Sequence, residues 1–261
     1  MSATAEELPP TLRYERRGPV TWVTIDRPGA RNALDRAVRE GLFAAVRRFD
    51  ADPEAAVLVL TGAGDVAFSA GGDLKEMAED ALAVPPPDFL PQLQRNLSTA
   101  KPVIAAVNGL AYAGGFLLVQ GCDLVFAAEH ARFAVPEVAV GRGAPWAAPL
   151  ASLIPPKAAL HLLLTGEPIS AARAHALGLV TDVVPADQLV DRVQACAERI
   201  AANAPLSVRA AKQMVLATRG LSPADAFAEA ERIYDPVYRS ADAQEGPRAF
   251  AEHRPPRWTG R

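Results

Sequence analysis

Two loops of small residues are the most promising places for chemistry in this chain. They are residues 68–73 (FSAGGD) and 111–116 (AYAGGF), and each connects a predicted buried strand to a predicted helix. Small residues let a backbone approach a ligand closely, and the first turn of a helix presents unpaired N–H groups. Two such N–H groups that converge on one point would stabilise a developing oxyanion. Taken alone, each loop also fits a tight turn in which glycine merely relieves crowding.

Other recognisable chemistries find little support in the residues. Gly62 and Gly64 are followed by no third glycine at dinucleotide-binding spacing, and no Gly-Lys-Ser/Thr occurs. The four histidines are scattered, and neither Cys122 nor Cys196 belongs to a CxxC pair. We therefore expect no bound metal, no disulfide and no prosthetic group.

Composition and charge narrow the class of protein further. The chain has 261 residues, half of them hydrophobic, and a formal net charge of −3. This balance provides no global positive field for nucleic acid or for a membrane surface. Because no signal-peptide pattern or long apolar stretch is evident, the expected location is cytoplasmic.

The pattern of elements that would hold the loops predicts an α/β fold. Apolar runs at 57–61 and 102–107 are typical of buried strands, the first of them covered on both faces, and 20–25 alternates as a strand. A helical stripe runs from Leu34 to Phe49 with Asn32 as its expected N-cap. Further predictions are helices over 74–82 and 90–100, an irregular loop over 79–91, an α/β core over residues 1–185, and helices alone over 186–261.

Several motifs, taken in order, resemble the crotonase (enoyl-CoA hydratase/isomerase) family. The resemblance spans roughly residues 12–258. It rests on 68–74 (FSAGGDL), 104–109 (IAAVNG), 113–115 (AGG), 122–124 (CDL), 132–137 (RFAVPE), 164–170 (LTGEPIS), 176–180 (ALGLV) and 245–250 (EGPRAF). It implies a spiral of ββα units whose C-terminal helices serve in trimerisation. The implied assembly is a homotrimer or a homohexamer.

The resemblance also implies a coenzyme A thioester as substrate, with coenzyme A arriving as part of that substrate. The backbone N–H groups of Ala70 and Gly114 match the family's oxyanion donors. The remaining implied contacts are Asp73 and Leu74 near adenine, Arg31 near the CoA phosphates, and Phe250 and His253 from the C-terminal helices. The family often has lysine at the position of His253.

The reaction depends on two positions that hold glutamates in the hydratases of this family. Glu137 matches the second glutamate, but Leu117 stands at the position of the first. A leucine transfers no proton, so the resemblance favours a proton-shifting isomerase with one carboxylate. Trp146 is expected either in the core or on the acyl pocket. Alternatives are an enoyl-CoA hydratase, a CoA-thioester or C–C hydrolase, and a weakly active CoA-binding homologue.

Overall fold

Two β-sheets form the centre of the computed structural model, which describes residues 7–79 and 84–261. The strands are β1 (Leu12–Arg17), β2 (Val20–Ile25), β3 (Val57–Gly62), β4 (Ala67–Ser69), β5 (Val103–Val107), β6 (Leu110–Tyr112), β7 (Leu124–Ala128), β8 (Arg132–Ala134), β9 (Ile169–Ser170) and β10 (Asp182–Val184). The α-helices are α1 (Arg36–Ala51), α2 (Leu74–Glu79), α3 (Gly114–Gly121), α4 (Leu150–Leu153), α5 (Pro156–Thr165), α6 (Ala171–Ala176), α7 (Leu189–Ala201), α8 (Pro205–Ala217), α9 (Pro223–Tyr238) and α10 (Ala241–Ala251). Short 3-10 helices cover Pro28–Ala30, Pro136–Val140, Pro145–Ala147 and Ala186–Gln188.

From β3 to β8, successive strands alternate between the two sheets. The larger sheet has the order β1-β2-β3-β5-β7-β10 and the smaller one β4-β6-β8-β9. All neighbours are parallel except β1 with β2 and β8 with β9. Strands β3 and β4 are followed by helix α2, and strands β5 and β6 are followed by helix α3. The chain therefore forms a spiral of ββα units. The predicted α/β fold and its spiral are confirmed.

The central strands of the larger sheet, β2, β3, β5 and β7, are buried on both faces. In β3, Leu58 and Leu60 point into one hydrophobic core, whereas Val57 and Val59 pack into a second core under helix α7. Continuous apolar runs result because side chains at successive positions alternate between the two faces, and both faces exclude water. This arrangement confirms the two-sided burial that the run at 57–61 predicts.

Helix α7 packs against the larger sheet, since Leu189, Val193 and Ala197 are buried there. Helix α7, which begins just after the predicted boundary at residue 185, therefore covers one face of the larger sheet. That boundary, and the use of the C-terminal helices in trimerisation, stay predictions. In the described ranges, no helix is long and apolar enough to cross a membrane.

The start of helix α1 differs from the predicted cap. Asp35, not Asn32, is the N-cap, and its side chain accepts a hydrogen bond from the Val38 N–H at 2.9 Å. Asn32 is fully buried in a left-handed conformation, and its side-chain amide donates to the carbonyls of Ala63 and Ala67. The asparagine therefore fastens the chain before α1 to the β3–β4 connection rather than capping the helix.

The predicted helix over residues 90–100 is wrong. This segment is a series of turns, and Gln94 has a positive φ of 71°. The Asn96 side chain accepts from the Gln92 N–H and donates to the carbonyls of Pro87 and Leu90. These bonds compete with the helical backbone pattern. Of the predicted helix at 74–82, residues 74–79 form α2; positions 80–82, like part of the predicted loop at 79–91, lie outside the described residues.

Candidate active site

The two small-residue loops meet in the structure. Gly71 has a φ of +94°, and a Cβ atom placed on it would lie 2.9 Å from the Gly114 nitrogen and 2.6 Å from the Ala113 Cβ. Ala113, which precedes helix α3, also has a positive φ of 49°. Close approach and strained backbone at one spot are typical of functional sites. The two loops are therefore close enough for backbone N–H groups from both to line one cavity.

The backbone hydrogen bonds decide which N–H groups are available there. The Ala70 N–H donates to the Arg31 carbonyl at 3.0 Å, so it already has an acceptor. Leu34 forms backbone hydrogen bonds with the residues before and after Gly72. Its N–H donates to the Gly71 carbonyl at 2.8 Å, and its carbonyl accepts from the Asp73 N–H at 3.4 Å. Within the described residues, neither Gly72 nor Gly114 has a backbone acceptor for its N–H.

The hydrogen bond between Ala70 and Arg31 argues against Ala70, which is one of the two predicted oxyanion donors. The Ala70 N–H points at the segment before helix α1, while the neighbouring Gly72 N–H is the open group of that loop. Gly114 is the first residue of α3, where intrahelical acceptors do not exist. Sequence reasoning missed Gly72 because Ala70 and Gly72 belong to the same small-residue loop, and residue type alone does not show which of their N–H groups is open.

Glu137 lies in the 3-10 helix Pro136–Val140 and is partly buried. Its Oε2 atom has no hydrogen-bond partner among the described residues. Burial raises the pKa of this carboxyl group above its usual range, although hydrogen bonds from its own backbone and from the Trp146 side chain act in the opposite direction. A partly buried carboxyl with a raised pKa is suited to accept and return a proton near neutral pH.

A cavity of about 370 Å³ joins these groups. It contains six of the residues predicted for the site, namely Ala70, Leu74, Gly114, Leu117, Glu137 and Trp146. Gly72, Met77, Phe89, Gln92, Arg95 and Arg142 also line it. Glu137 is the one carboxylate among the described lining residues.

Leu117 and Trp146 form apolar walls of the cavity. Leu117 follows Gly114 by one turn of α3 and is 3% exposed. Trp146 is 9% exposed and lies against Phe116, with ring centroids 6.1 Å apart. The Trp146 carbonyl accepts from the side chains of Gln92 at 3.3 Å and Gln120 at 3.0 Å. Trp146 thus belongs to both the core and the cavity, the two alternatives that the sequence leaves open.

The remaining predicted site residues are not among those that line the cavity. The Asp73 carboxylate is paired with Arg27 at 3.1 Å. Burial acts to raise the Asp73 pKa, but the Arg27 hydrogen bond and backbone N–H groups outweigh it and lower the pKa. Arg31 is exposed in a left-handed conformation. Phe250, on α10, and His253, just beyond it, are also exposed, Phe250 by 84%.

A second, larger cavity of about 480 Å³ lies between the core and helix α8. Its polar lining includes the ion pair of Lys212 and Asp123, 2.8 Å apart. It has neither of the open N–H groups nor Glu137. The smaller cavity is therefore the candidate active site, since it holds both the open N–H groups and Glu137. The described residues contain no cluster of three or more potential metal ligands.

Comparison with known proteins gives a consistent family. The sequence model for enoyl-CoA hydratase/isomerase matches residues 15–261. The chain is 38% identical over 260 residues to a carnitinyl-CoA dehydratase of Salmonella arizonae, covering 96% of this chain and 98% of that protein.

Solved structures agree with the sequence comparisons. An enoyl-CoA hydratase from Mycobacterium tuberculosis is 41% identical, with a TM-score of 0.88, and the match covers 97% of this chain and 100% of that one. An enoyl-CoA hydratase/isomerase from Mycobacterium paratuberculosis is 35% identical, with a TM-score of 0.88 and coverage of 96% and 99%. Together with the spiral of ββα units and the paired glycine loops, these matches show that the chain belongs to the enoyl-CoA hydratase/isomerase family.

Proposed function

We propose that this protein is an enoyl-CoA isomerase that moves a double bond by proton transfer through Glu137. One observation carries the proposal: Glu137 is the single carboxylate among the described residues of the cavity, and the buried Leu117 stands where a second acid would be needed. An allylic shift requires one group that takes a proton and returns it elsewhere. Hydration requires both a base for water and an acid for carbon.

The proposed reaction proceeds in two proton transfers. The Glu137 carboxylate removes a proton from C2 of a 3-enoyl-CoA, and the electron pair moves onto the thioester oxygen to give a dienolate. The N–H groups of Gly72 and Gly114 stabilise that oxygen, in place of the Ala70–Gly114 pair expected from the sequence. Glu137 then returns the proton at C4, and the product is the conjugated 2-enoyl-CoA.

Exposed side chains around the cavity are proposed to contact the CoA portion of the substrate. Leu74 is 65% exposed at the mouth of the cavity, where an apolar side chain can cover the adenine ring. The exposed Arg31 is a candidate for the CoA phosphates. Because Phe250 and His253 do not line the cavity of their own chain, we propose that they act on a neighbouring subunit of a homotrimer or homohexamer.

Hydration is the second candidate, because similar proteins are named enoyl-CoA hydratase and carnitinyl-CoA dehydratase. It would require Glu137 to activate water and a group other than residue 117 to protonate carbon. Hydration is supported by the match to the Mycobacterium tuberculosis enoyl-CoA hydratase, which covers nearly the full chain at about 40% identity.

Matched substrates separate the two reactions. The protein is incubated with 2-enoyl- and 3-enoyl-CoA esters of equal chain length, and the products are resolved by chromatography, mass spectrometry and the absorbance of the conjugated thioester. Isomerisation predicts conversion of the 3-enoyl ester at constant mass. Addition of water to the 2-enoyl ester as the faster reaction would refute it. Release of free CoA would indicate a hydrolase, and binding without turnover a non-catalytic homologue.

A further inference from the structure

Arg39 is a buried cation that lies behind the cavity wall. It belongs to helix α1, and its side chain is only 7% exposed. It is not among the residues that line the cavity. A buried guanidinium is unfavourable unless its N–H groups are bonded and its charge is paired, so its contacts need an explanation.

Three segments of the site meet at this one guanidinium. Its Nη1 donates to the Leu34 carbonyl at 2.9 Å, and the fork binds both carboxylate oxygens of Glu76 at 2.9 and 3.2 Å. Its carbon lies 4.1 Å from the ring centroid of Phe89, a stacked cation–π contact.

Each of these partners belongs to a different part of the catalytic apparatus. Leu34 forms the β-bridge with Gly72, the open N–H donor of the oxyanion hole. Glu76 lies on α2, whose Leu74 and Met77 line the cavity. Phe89 lines the cavity on the side of the 84–90 segment.

We propose that Arg39 is a positioning residue that fixes the acyl-pocket wall against the oxyanion loop, and so determines how strongly the acyl group is bound. The inference rests on the proposed function in taking the cavity as the site of the acyl group of a CoA thioester. Only arginine supplies this combination, because its planar fork binds a carboxylate bidentately while its face stacks on a ring. Lysine keeps the charge but loses the fork and the stack.

Binding of a saturated ester tests this without relying on turnover. The dissociation constants of CoA and of hexanoyl-CoA are measured by calorimetry, and their ratio gives the contribution of the acyl group. For Arg39→Lys and for Glu76→Gln, neither of which lines the cavity, we expect this ratio to fall by about 5- to 10-fold, because the wall that the guanidinium holds then packs less closely on the acyl chain. The dissociation constant of CoA alone should change by less than about two-fold.

Two variants make the reading specific. Arg48→Lys is the matched control: Arg48 also lies on α1 and stacks on a ring, 4.4 Å from the Tyr14 centroid, but away from the cavity. It should leave both constants unchanged. In the double variant Arg39→Lys/Glu76→Gln, the loss should not exceed that of Arg39→Lys alone, since the two residues act through one ion pair.

An unchanged ratio in Arg39→Lys, or parallel weakening of CoA and hexanoyl-CoA, would overturn the positioning role. If Arg39→Lys does not fold, Glu76→Gln decides, and an unchanged ratio in that variant would overturn the proposal. The outcome is distinct from that of the proposed function. A protein that binds hexanoyl-CoA through Arg39 but shifts no double bond would refute the isomerase while leaving the role of Arg39 intact.

Discussion

Replacing Glu137 by glutamine should abolish catalysis while leaving the cavity in place. Glutamine has nearly the same shape but cannot accept the C2 proton. A positioned general acid–base contributes about 10²- to 10⁴-fold, or about 3–5 kcal/mol of transition-state stabilisation. Because Glu137 is the one carboxylate among the described lining residues and would serve both transfers, the loss should approach 10⁴-fold, at the upper end of that range.

The same change should stabilise the fold at neutral pH. Burial raises the pKa of Glu137, and its Oε2 has no hydrogen-bond partner in the described part of the chain. A raised folded-state pKa means that the stability contributed by this group is fully present below its unfolded pKa and is lost as pH rises through the folded pKa. Glutamine carries no charge to desolvate, so we expect a gain of about 1 kcal/mol, modest because the residue is only partly buried.

The assay combines activity on a 3-enoyl-CoA with urea unfolding between pH 4 and pH 8. Wild-type activity should fall on the acid side with a midpoint above the ordinary glutamate pKa. The stability advantage of Glu137→Gln should vanish at the acid end. Glu167→Gln is the control, since that side chain is 69% exposed. Activity of Glu137→Gln within about ten-fold of wild type would refute the reasoning on both the base and the reaction.

Two further substitutions test the scaffold of the site. Gly71→Ala should lower activity by about 10²-fold, since a methyl group would push the two glycine loops apart. The control is Gly178→Ala, which is also at positive φ but has no atom within 4 Å of the added Cβ and should retain activity. Equal losses of the two variants in a kinetic assay would contradict this expectation. Asp73→Asn should cost about 1–3 kcal/mol at neutral pH by breaking the Arg27 pair. Because the Asp73 pKa is lowered, that contribution is lost as pH falls through the folded pKa, so denaturation curves of variant and wild type should converge in acid; a constant difference would argue against it.

The loops were predictable, but the identity of the donor within one of them was not. Small residues between a buried strand and a helix are visible in the sequence, and they do converge at Gly71 and Gly114. Which N–H remains open depends on how residues 31–34 pair with residues 70–73. No local pattern encodes that long-range pairing, and the sequence therefore favours Ala70 where the hydrogen bonds favour Gly72.

Side-chain partners explain the other differences in the same way. Asp73 pairs with Arg27, and Arg39 with Glu76, across segments that are far apart in the chain. Residue type alone shows that these groups are charged, but it does not show which ion pairs they form. The non-helical 90–100 segment shows the local counterpart, since the three hydrogen bonds of the Asn96 side chain outweigh a helical composition.

The charge balance of the cavity explains why one carboxylate suffices for the proposed reaction. When Glu137 takes a proton it becomes neutral, which its buried position favours, and the negative charge passes to the thioester oxygen. In the proposed reaction that oxygen is stabilised by the N–H groups of Gly72 and Gly114, which are fixed dipoles and need no proton of their own. Return of the proton reverses the charge shift, so no second titrating group is required at any step. Hydration differs because it must also hold and orient a water molecule. At residue 117 the wall offers only the buried, apolar side chain of leucine, which cannot hydrogen-bond to water.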